Sequence, residues 1–489
     1  MTDERVSFSD GYKRAVLGLL LAAYTFNFID RTILATIGQA IKVDLALTDT
    51  QLGLLGGLAF AILYTLLGVP IARLAERRNR VSIIALSVVV WSGFTAACGL
   101  AASFAALLAL RVGVGIGEAG CSPPSHSLIS DYFPRQRRAS ALSIYAFGIP
   151  LGAMIGAMAG GWLAQHVGWR WAFVIVGAPG LVLAALIKLW VREPPRGWSE
   201  PERTHPAPAP WSAGMEIREL AAVAKALFGN WPMLNIMLGV TLASFAGYGA
   251  GQFSAPYFNR AFGLDYATVG LIFGAIGGLS AGVGTLAGGF VSDRMARHGA
   301  RWYALAPAIG LAISVPLSIA GYVQADWKIA AAVLLTPAIF SYVYLAPTFA
   351  VVQNVVEPHR RATAAAVMLL FLNIIALGGG PVFIGWLIDA LAQSHFTHPD
   401  QSGLLAGLSH LFDGARTGDR FAVACPGGLA PHGAATALVE RCHAAEVAGT
   451  RQGILLAFAF TLWGAFHYLL ASFGLERRLA QLPPLAADV

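Results

Sequence analysis

Four ionisable residues lie in two long apolar stretches of this sequence, where charge is costly. Arg111 and Glu118 interrupt the apolar run 105–130, and Asp30 and Arg31 stand side by side near the end of the first apolar run. Charged side chains at membrane depth almost always face a partner or a water-filled cavity. The four residues therefore indicate a polar pathway inside an apolar protein.

The spacing of these residues predicts that they come close together. Residues seven apart, such as Arg111 and Glu118, lie on nearly the same face of a helix, about 10 Å apart along its axis. Asp30 lies roughly 24 Å along its own helix, and Arg111 reaches a similar depth because its helix runs the opposite way. Glu118 then lies near the midplane, and Asn27 is one turn from Asp30.

Two structural explanations remain open for these charges. Arg111 and Glu118 could form a buried ion pair whose role is to hold two helices together. Asp30 and Arg31 could mark an ordinary helix end at the outer surface, because apolar residues continue past them only briefly. The occurrence of a second charged pair in the first run favours a functional role for Arg111 and Glu118.

Long apolar helices must position these residues. The chain has 489 residues, of which 56% are hydrophobic and 12% charged, and its mean hydropathy is +0.64. About 20 apolar residues span a hydrocarbon core of roughly 30 Å. Twelve such runs occur, at 14–38, 51–73, 81–103, 105–130, 138–164, 169–191, 230–260, 265–291, 302–323, 328–353, 361–390 and 451–474. They predict an all-α membrane protein with twelve transmembrane helices, without the period-2 alternation of an outer-membrane barrel.

A repeated loop sequence divides the chain into two halves. A small residue followed by an acid and an arginine occurs after predicted helix 2, at Ala72 and Glu76, and again after predicted helix 8, at Gly289 and Asp293. Such repeats are typical of proteins built from two related six-helix units. The predicted parts are a six-helix half, a proline-rich cytoplasmic linker and a second six-helix half, at 1–191, 192–229 and 230–489.

The repeated acids also predict a gate. An acidic residue beside arginines at a helix end can pair with a neighbouring helix end in one conformation and separate in another. The alternative is simple positive-inside charge, which explains the arginines but not the acids. The candidate cytoplasmic gate residues are Glu76, Arg77, Arg80, Asp131, Asp293 and Arg294.

The distribution of basic residues accounts for the net charge of +7 without a nucleic-acid partner. Most of the 33 lysines and arginines fall at helix ends on one side of the predicted membrane. The positive-inside rule places that side, with both termini, in the cytoplasm. The first apolar run is too long for a cleavable signal and is followed by Asp30 and Arg31 instead of a small-residue cleavage site.

The loop 391–450 between predicted helices 11 and 12 is long and carries Cys425 and Cys442 on the predicted outer side. An oxidising compartment would let these cysteines pair, and the alternative is two free thiols. The loop is expected to form either an external cap or an excursion without fixed structure. Cys98 and Cys121 lie in predicted helices and are expected to be packing residues.

The second half offers uncharged side chains for a cavity. Glycines and Pro256 weaken predicted helix 7 in mid-membrane, and broken helices are tolerated where they line a cavity. No charge lies in the middle of predicted helices 7 to 12, so charged chemistry is expected only in the first half. The cavity candidates are Tyr248, Gln252, Phe253, Tyr342, Tyr344 and Asn373, each of which could instead be a packing residue.

Glycine stripes predict close helix packing. They comprise Gly148, Gly152, Gly156 and Gly160 in predicted helix 5, and Gly274, Gly278 and Gly282 in predicted helix 8. Faces of this kind let two backbones approach each other in a membrane. Gly115, Gly117 and Gly120 match a dinucleotide-binding fingerprint, but that motif requires a preceding strand and a βαβ unit, so it is rejected here.

The repeat, the linker and the loop charges resemble the major facilitator superfamily over the whole chain. Within it, three segments resemble the spinster family: Asn27-Phe-Ile-Asp30-Arg31, Arg111 with Gly117-Glu118-Ala-Gly, and Ser130-Asp131-Tyr-Phe-Pro. The chain departs from the usual pattern at Ala72, where the loop motif has glycine, at Glu76, where it has aspartate, and in the long external loop.

The resemblance implies a secondary transporter for an amphipathic lipid, such as a lysophospholipid or a sphingoid phosphate, coupled to protons. It implies a monomer in a bacterial inner membrane, without a cofactor or metal. Arg111 suits a phosphate or carboxylate, and burial would disfavour the charged form of Glu118, which suits a proton carrier. Asp30 can compete with the substrate for Arg31 and Arg111. Rearrangement of this set would switch the halves between inward and outward states.

Three alternatives to lipid transport remain. The first is transport of a small organic anion or drug by proton coupling, and the second is a receptor-like role without flux. The third is a membrane-embedded lipid-modifying enzyme, for which His126 with Ser122 and Ser125 is the nearest grouping of side chains. That grouping lacks the oriented base of a catalytic triad and any metal-ligand spacing.

Overall fold

A computed structural model describes residues 8–199, 213–356, 360–399 and 420–480, together with Ser409. The regular elements within these ranges are helices, and twelve of them are long and apolar enough to cross a membrane. Spans 1 to 12 are Asp10–Thr36, Asp49–Arg77, Arg80–Cys98, Phe104–Tyr132, Gln136–Val167, Trp169–Trp190, Trp231–Phe262, Tyr266–Ala296, Trp302–Tyr322, Trp327–Asn354, Thr363–Thr397 and Thr436–Arg477. The predicted fold class, an all-α protein with twelve membrane helices, is confirmed.

The largest departures from the predicted spans are at the loop 391–450. Span 11 continues to Thr397, and the helix that contains span 12 begins at Thr436 and ends at Ala480. Between them lie a short helix, Phe421–Ala424, and a 3-10 turn, Pro426–Gly428. Residues 420–450 therefore form a folded cap, while residues 400–408 and 410–419 of the predicted loop lie outside the described residues.

Two further helices lie outside the spans. Gly38–Asp44 connects spans 1 and 2, and Ala213–Phe228 precedes span 7. The latter forms the end of the predicted linker 192–229, of which residues 200–212 lie outside the described part of the chain. We call the side of the bundle where span 1 begins and span 12 ends the near side, and the opposite side the far side.

Polar N-caps determine where several spans begin. In span 2, the backbone N–H of Gln51 donates to Thr48 Oγ1 at 3.2 Å, and the backbone N–H of Thr48 donates to Gln51 Oε1 at 3.0 Å. Caps of this kind satisfy N–H groups that the helix leaves without partners. The side chains of Asn79, Asn230, Asp265 and Asp326 cap spans 3, 7, 8 and 10.

Several spans are interrupted in mid-membrane. Span 2 breaks at Gly57, span 4 between Glu118 and Ser122, and span 10 between Phe340 and Leu345. Span 11 contains a π-helical stretch, Leu372–Gly379. Irregular backbone at this depth is tolerated where protein or a cavity surrounds it.

The expected weakening of span 7 is wrong, because Trp231–Phe262 is one continuous helix. One of its mid-span glycines, Gly249, serves close packing, whereas Gly247 and Gly251 have open space around them. A Cβ added at Gly249 would lie 2.6 Å from Ile384 Cγ1 and 3.0 Å from the carbonyl oxygen of Gly380. Contact with span 11 therefore supports span 7 where its sequence alone would favour a break.

The glycine stripe of span 5 packs against span 1, and the neighbouring Gly161 packs against span 8. A Cβ at Gly152 would lie 2.5 Å from the carbonyl oxygen of Thr25 in span 1, and a Cβ at Gly156 would lie 2.9 Å from Ile29 Cα. On its other side, a Cβ at Gly161 would lie 2.9 Å from Gly270 Cα in span 8. Only glycine permits these approaches, as the stripe predicts.

Spans 1 to 6 and spans 7 to 12, which we call the first and second halves, meet at several points toward the far side. Spans 2 and 11 touch where a Cβ at Gly53 would lie 2.2 Å from the carbonyl oxygen of Pro381, and spans 5 and 8 touch at Gly161. Closer to the near side, a Cβ at Gly68 of span 2 or at Gly282 of span 8 would meet nothing within 4 Å, which agrees with halves that are apart there.

We expect Gly156→Ala to destabilise the protein, because its Cβ must displace the backbone of span 1, and overpacking typically costs about 1–3 kcal/mol. The matched control is Gly282→Ala, which has open space and replaces a helical glycine with a better helix former. The measurement is the apparent melting temperature in detergent. Equal melting temperatures for the two variants would contradict the packing described here.

Candidate functional site

The four charged residues singled out in the sequence form two ion pairs between spans 1 and 4. Arg111 Nη1 lies 3.3 Å from Asp30 Oδ1, and Arg31 Nη2 lies 2.8 Å from Glu118 Oε2. Each arginine therefore pairs with the acid of the other span, so Arg111 and Glu118 are not each other's partners. We call these four residues the central charge set.

Asp30 is buried and belongs to the continuous part of span 1. Its side chain is 2% exposed, and the helix runs six residues further, to Thr36. Its second carboxylate oxygen accepts a hydrogen bond from Thr95 Oγ1 of span 3 at 2.7 Å. The position of Asp30 excludes the ordinary surface helix end that the sequence left open.

Arg31 is the accessible member of the set. Its side chain is 21% exposed, whereas that of Glu118 is fully covered. The guanidinium carbon lies 5.1 Å, 4.5 Å and 4.6 Å from the ring centroids of Phe28, Phe60 and Tyr64. Aromatic faces attract cations at these distances, so the rings hold Arg31 in place beside its acid.

Three buried polar atoms at this site have no hydrogen-bond partner among the described residues. They are Glu118 Oε1, Arg111 Nε and Asn27 Oδ1. Buried polar groups are normally paired, so such exceptions call for an explanation. A proton on Glu118 Oε1, or a polar ligand or water between these groups, would satisfy them.

Glycines place span 4 close enough for these pairs to form. A Cβ at Gly115 would lie 2.7 Å from the carbonyl oxygen of Phe60, and a Cβ at Gly117 would lie 2.5 Å from the backbone nitrogen of Trp91. The glycines that resemble a dinucleotide fingerprint therefore serve contact with spans 2 and 3. Span 4 is interrupted directly after Glu118, so Glu118 is the last residue of the helical segment that begins at Phe104.

Aromatic residues of the second half face the central charge set. Tyr248 of span 7 is 45% exposed and interacts electrostatically with Arg31 and Tyr64. Tyr342 of span 10 is 37% exposed and interacts with Tyr248. These two tyrosines are the partly exposed members of the predicted cavity residues in spans 7 and 10.

The other cavity candidates are more enclosed. Tyr344 is buried and its hydroxyl lies 2.8 Å from Ser244 Oγ, and Phe253 is fully buried in the hydrophobic core of the second half. Phe253 is therefore a packing residue in this structure. Gln252 is buried against Gly56 at the break in span 2, and Asn373 lies half-buried in the π-helical stretch of span 11.

The structure brings together two of the predicted gate residues at the near side. Arg80 Nη1 lies 2.5 Å from Asp131 Oδ2, and Arg80 Nε lies 2.6 Å from Glu193 Oε1. Glu193 was not predicted, because the sequence places it in the linker. Asp131 also accepts the backbone N–H of Gly197 at 3.0 Å. This cluster ties the start of the linker to the first half.

The remaining gate candidates do not join the two halves here. Glu76 pairs with Arg73 of its own span at 3.2 Å, and Asp293 accepts a hydrogen bond from the Tyr303 hydroxyl at 2.9 Å. Arg77 and Arg294 are exposed. This arrangement agrees with halves that are apart at the near side.

A second buried charge cluster, which we call the far-side cluster, connects the halves at the far side. Arg260 of span 7 donates to Asp49 of span 2 through Nη1 at 3.1 Å and through Nη2 at 2.6 Å. Lys42 Nζ lies 2.7 Å from Asp49 Oδ2 and 2.9 Å from Glu446 Oε1, and Arg260 Nε lies 3.3 Å from the same Glu446 oxygen. These four side chains are 1–2% exposed.

Asp389 of span 11 adds a helix cap to this cluster. Its carboxylate accepts the backbone N–H groups of Asp49 and Thr50 at 2.8 Å each, and the Thr50 hydroxyl at 2.6 Å. A carboxylate at this position complements the positive end of a helix. Because the acid and the helix belong to different halves, this contact must break if the far side opens.

The far-side cluster corrects the expectation that charged chemistry is confined to the first half. Arg260, Asp389 and Lys42 lie at the ends of predicted helices, where sequence reasoning treats charge as solvated. Lys42 and Arg260 are instead buried against Glu446 of the folded cap, and Asp389 is partly buried against the start of span 2. The sequence does contain one indication of this cluster: charges of both signs lie near the far-side ends of spans 1, 7 and 11.

The cysteines have the predicted partners and positions. Cys425 and Cys442 form a disulfide with a Cα–Cα distance of 5.8 Å, and Cys98 and Cys121 are free and buried. The disulfide joins the short cap helix to the extension of span 12.

Comparisons with known proteins agree with this geometry. Residues 20–381 match the family model described as Major Facilitator Superfamily. An MFS-type efflux pump of Mycolicibacterium smegmatis is 33% identical over 385 residues, covering 78% of this chain and 85% of the pump. Protein spinster homolog 1 of Xenopus tropicalis is 26% identical over 408 residues, covering 78% of this chain and 74% of that protein.

A solved structure gives a closer likeness. It is a bacterial homologue of the human lysosomal transporter spinster, described as inward-facing and unoccupied. Its TM-score is 0.81 at 32% sequence identity, and the match covers 98% of this chain and 100% of that chain.

Twelve spans in two joined halves around a buried charged site, together with the family match, identify the class: the chain belongs to the Major Facilitator Superfamily of membrane transporters. Within that superfamily it is related to the spinster proteins. It is accordingly an integral membrane transporter and not an enzyme, which removes the lipid-modifying alternative.

We expect Asp30→Asn to destabilise the protein strongly, because it leaves Arg111 buried without its acid, and breaking a buried pair from one side costs about 3–5 kcal/mol. The double variant Asp30→Asn/Arg111→Leu removes both charges and should recover much of the loss. Thermal unfolding in detergent measures both. A double variant as unstable as the single one would contradict pairing as the reason these charges tolerate burial.

Proposed function

We propose that this protein is a proton-coupled secondary transporter of an amphipathic anionic lipid, such as a lysophospholipid or a sphingoid phosphate. The single observation that carries the proposal is the Arg31–Glu118 pair. It offers one partly exposed guanidinium, held at 2.8 Å from a covered carboxylate that retains an unpaired oxygen.

An anionic headgroup is the ligand that suits Arg31. A guanidinium matches the geometry of phosphate and carboxylate groups, and Arg31 is the member of the central charge set that is partly exposed. A bound anion would compete with Glu118 for this guanidinium. Glu118 would then be a buried carboxylate without its cation, a state that favours proton uptake. Binding of the anion and of a proton would therefore occur together.

An apolar chain on the substrate is supported by the near-side halves of spans 5 and 8. Large apolar side chains are exposed on these segments, namely Ile144, Phe147, Leu286 and Phe290. A lipid tail could occupy this apolar surface while its headgroup reaches Arg31. The relationship to spinster proteins also favours a lipid-like substrate.

Transport would follow by alternating access. In the conformation described, the halves are joined at the far side by the far-side cluster and are apart at the near side. Charge distribution favours a cytoplasmic near side, which would place both termini in the cytoplasm of a bacterial inner membrane. The state closed at the near side would bring Glu76, Arg77, Asp293 and Arg294 toward partners on the other half.

The protein would act as a monomer, with the boundaries of its halves near the linker 192–229.

A small organic anion or a drug is the second candidate substrate. The observation that favours it is the 33% identity to an efflux pump over 85% of that pump. Flux of radiolabelled lysophospholipid, sphingoid phosphate and small organic anions, compared in one set of proteoliposomes, separates the two. Transport of only the small anions would overturn the lipid proposal.

For coupling, we expect Glu118→Gln to abolish lysophospholipid accumulation driven by an imposed pH gradient, while exchange without a gradient persists. The reason is that glutamine cannot carry the proton. The control is Glu476→Gln, which neutralises an exposed near-side acid outside the proposed gate and should accumulate lipid as the unmodified protein does. Full gradient-driven accumulation by Glu118→Gln would show that this carboxylate does not couple transport to protons.

A further inference from the structure

The cap formed by residues 420–450 makes contacts with both halves of the protein. It comprises the helix Phe421–Ala424, the turn Pro426–Gly428 and the first part of the helix Thr436–Ala480. Although the chain enters and leaves it from the second half, the cap also reaches the segment between spans 1 and 2. It is therefore positioned to influence how the halves separate.

Contacts with the first half centre on Lys42. Its ammonium lies 2.9 Å from Glu446 Oε1 in the cap, with both side chains 2% exposed. A Cβ at Gly427 would lie 3.0 Å from the carbonyl oxygen of Lys42 and 3.2 Å from Val43 Cα. The turn 426–428 thus packs directly on the backbone of the first half.

Contacts with the second half hold the cap in place. The backbone N–H of Phe421 donates to Gln393 Oε1 at 2.6 Å, and Arg441 Nε donates to the carbonyl oxygen of Phe396 at 2.6 Å. His443 Nε2 lies 3.0 Å from the carbonyl oxygen of Arg260. The cap is consequently fixed to spans 7 and 11 through backbone groups.

The disulfide and Glu446 act on the same short piece of structure. Cys442 and Glu446 are one turn apart on a helix, and therefore share a face. Cys425 accepts the backbone N–H of Gly428 at 2.9 Å, and a Cβ at Gly428 would lie 2.1 Å from Glu446 Oε1. The disulfide thus holds the turn that covers the carboxylate.

Removal of Glu446 would leave the far-side cluster unbalanced. Lys42 and Arg260 would then share Asp49 as their remaining direct carboxylate partner within the described cluster. Buried cations without sufficient partners are unfavourable, so the closed far side would be weakened. In the proposed transport cycle, the contacts of Glu446 with Lys42 and Arg260 must separate whenever the far side opens.

We propose that the cap 420–450 is a latch between the halves, in which the Cys425–Cys442 disulfide holds Glu446 against Lys42 and Arg260 and so stabilises the state closed at the far side. This inference rests on alternating access from the proposed function, but not on the identity of the substrate. Loss of either the carboxylate or the disulfide would raise the population open at the far side.

The test uses a reporter that is covered only while the far side is closed. Leu52 of span 2 is fully buried against the core of the second half, so Leu52→Cys should react with a membrane-impermeant maleimide only after opening. In full-length protein in proteoliposomes without substrate, we expect Glu446→Gln and Cys425→Ser/Cys442→Ser each to raise the labelling rate about tenfold, the factor equivalent to about 1.4 kcal/mol.

Glu440→Gln is the matched control, because Glu440 is an exposed acid on the same helix, and it should label at the unmodified rate. Unchanged labelling in both cap variants would overturn the latch. Acceleration in Glu446→Gln alone would overturn the role of the disulfide. Melting temperature in detergent checks folding, and Lys42→Gln, which breaks the same ion pair from the first half, replaces any variant that fails it and should also accelerate labelling.

Lipid flux is measured separately in the same proteoliposomes. Faster labelling without lysophospholipid transport by the unmodified protein would leave the latch standing and remove the proposed substrate. Lipid transport by the unmodified protein, together with unchanged labelling of the cap variants, would support the proposed substrate and overturn the latch. The two proposals therefore fail through different measurements.

Discussion

The central constraint on this protein is that charge inside a membrane must have a partner. Desolvating a guanidinium or a carboxylate is costly, and a nearby opposite charge offsets that cost only in good geometry. Arg31 with Glu118, and Arg111 with Asp30, meet this condition by pairing across spans 1 and 4. Any ligand or proton that disturbed one pair would have to compensate the group left behind.

Close backbone approach is what makes this pairing geometry possible. Span 4 reaches spans 2 and 3 through glycines, and span 5 reaches spans 1 and 8 in the same way. In lipid, helices associate through packing and polar contacts, because apolar side chains gain little by leaving the hydrocarbon. Close packing among spans 1 to 5 thus holds the charged groups of the central charge set at fixed positions.

The two buried charge clusters differ in what they connect. The central charge set joins spans of one half, so it can persist while the halves move. The far-side cluster joins Asp49 and Lys42 of the first half to Arg260 and Glu446 of the second. It can only persist while the far side is closed. A transporter needs both kinds of interaction, one to hold the binding groups and another to distinguish its states.

The sequence by itself determined the all-α class and the number of spans, and it showed which charged residues lie inside them, because length, apolar runs and intramembrane charge are local properties. It did not determine that the arginines pair crosswise, that span 7 stays continuous, or that the cap buries Glu446 beside Lys42. Those outcomes depend on which helices touch and at what distance. Charges at helix ends look solvated in a sequence, and only tertiary packing decides whether water or another half of the protein lies beside them.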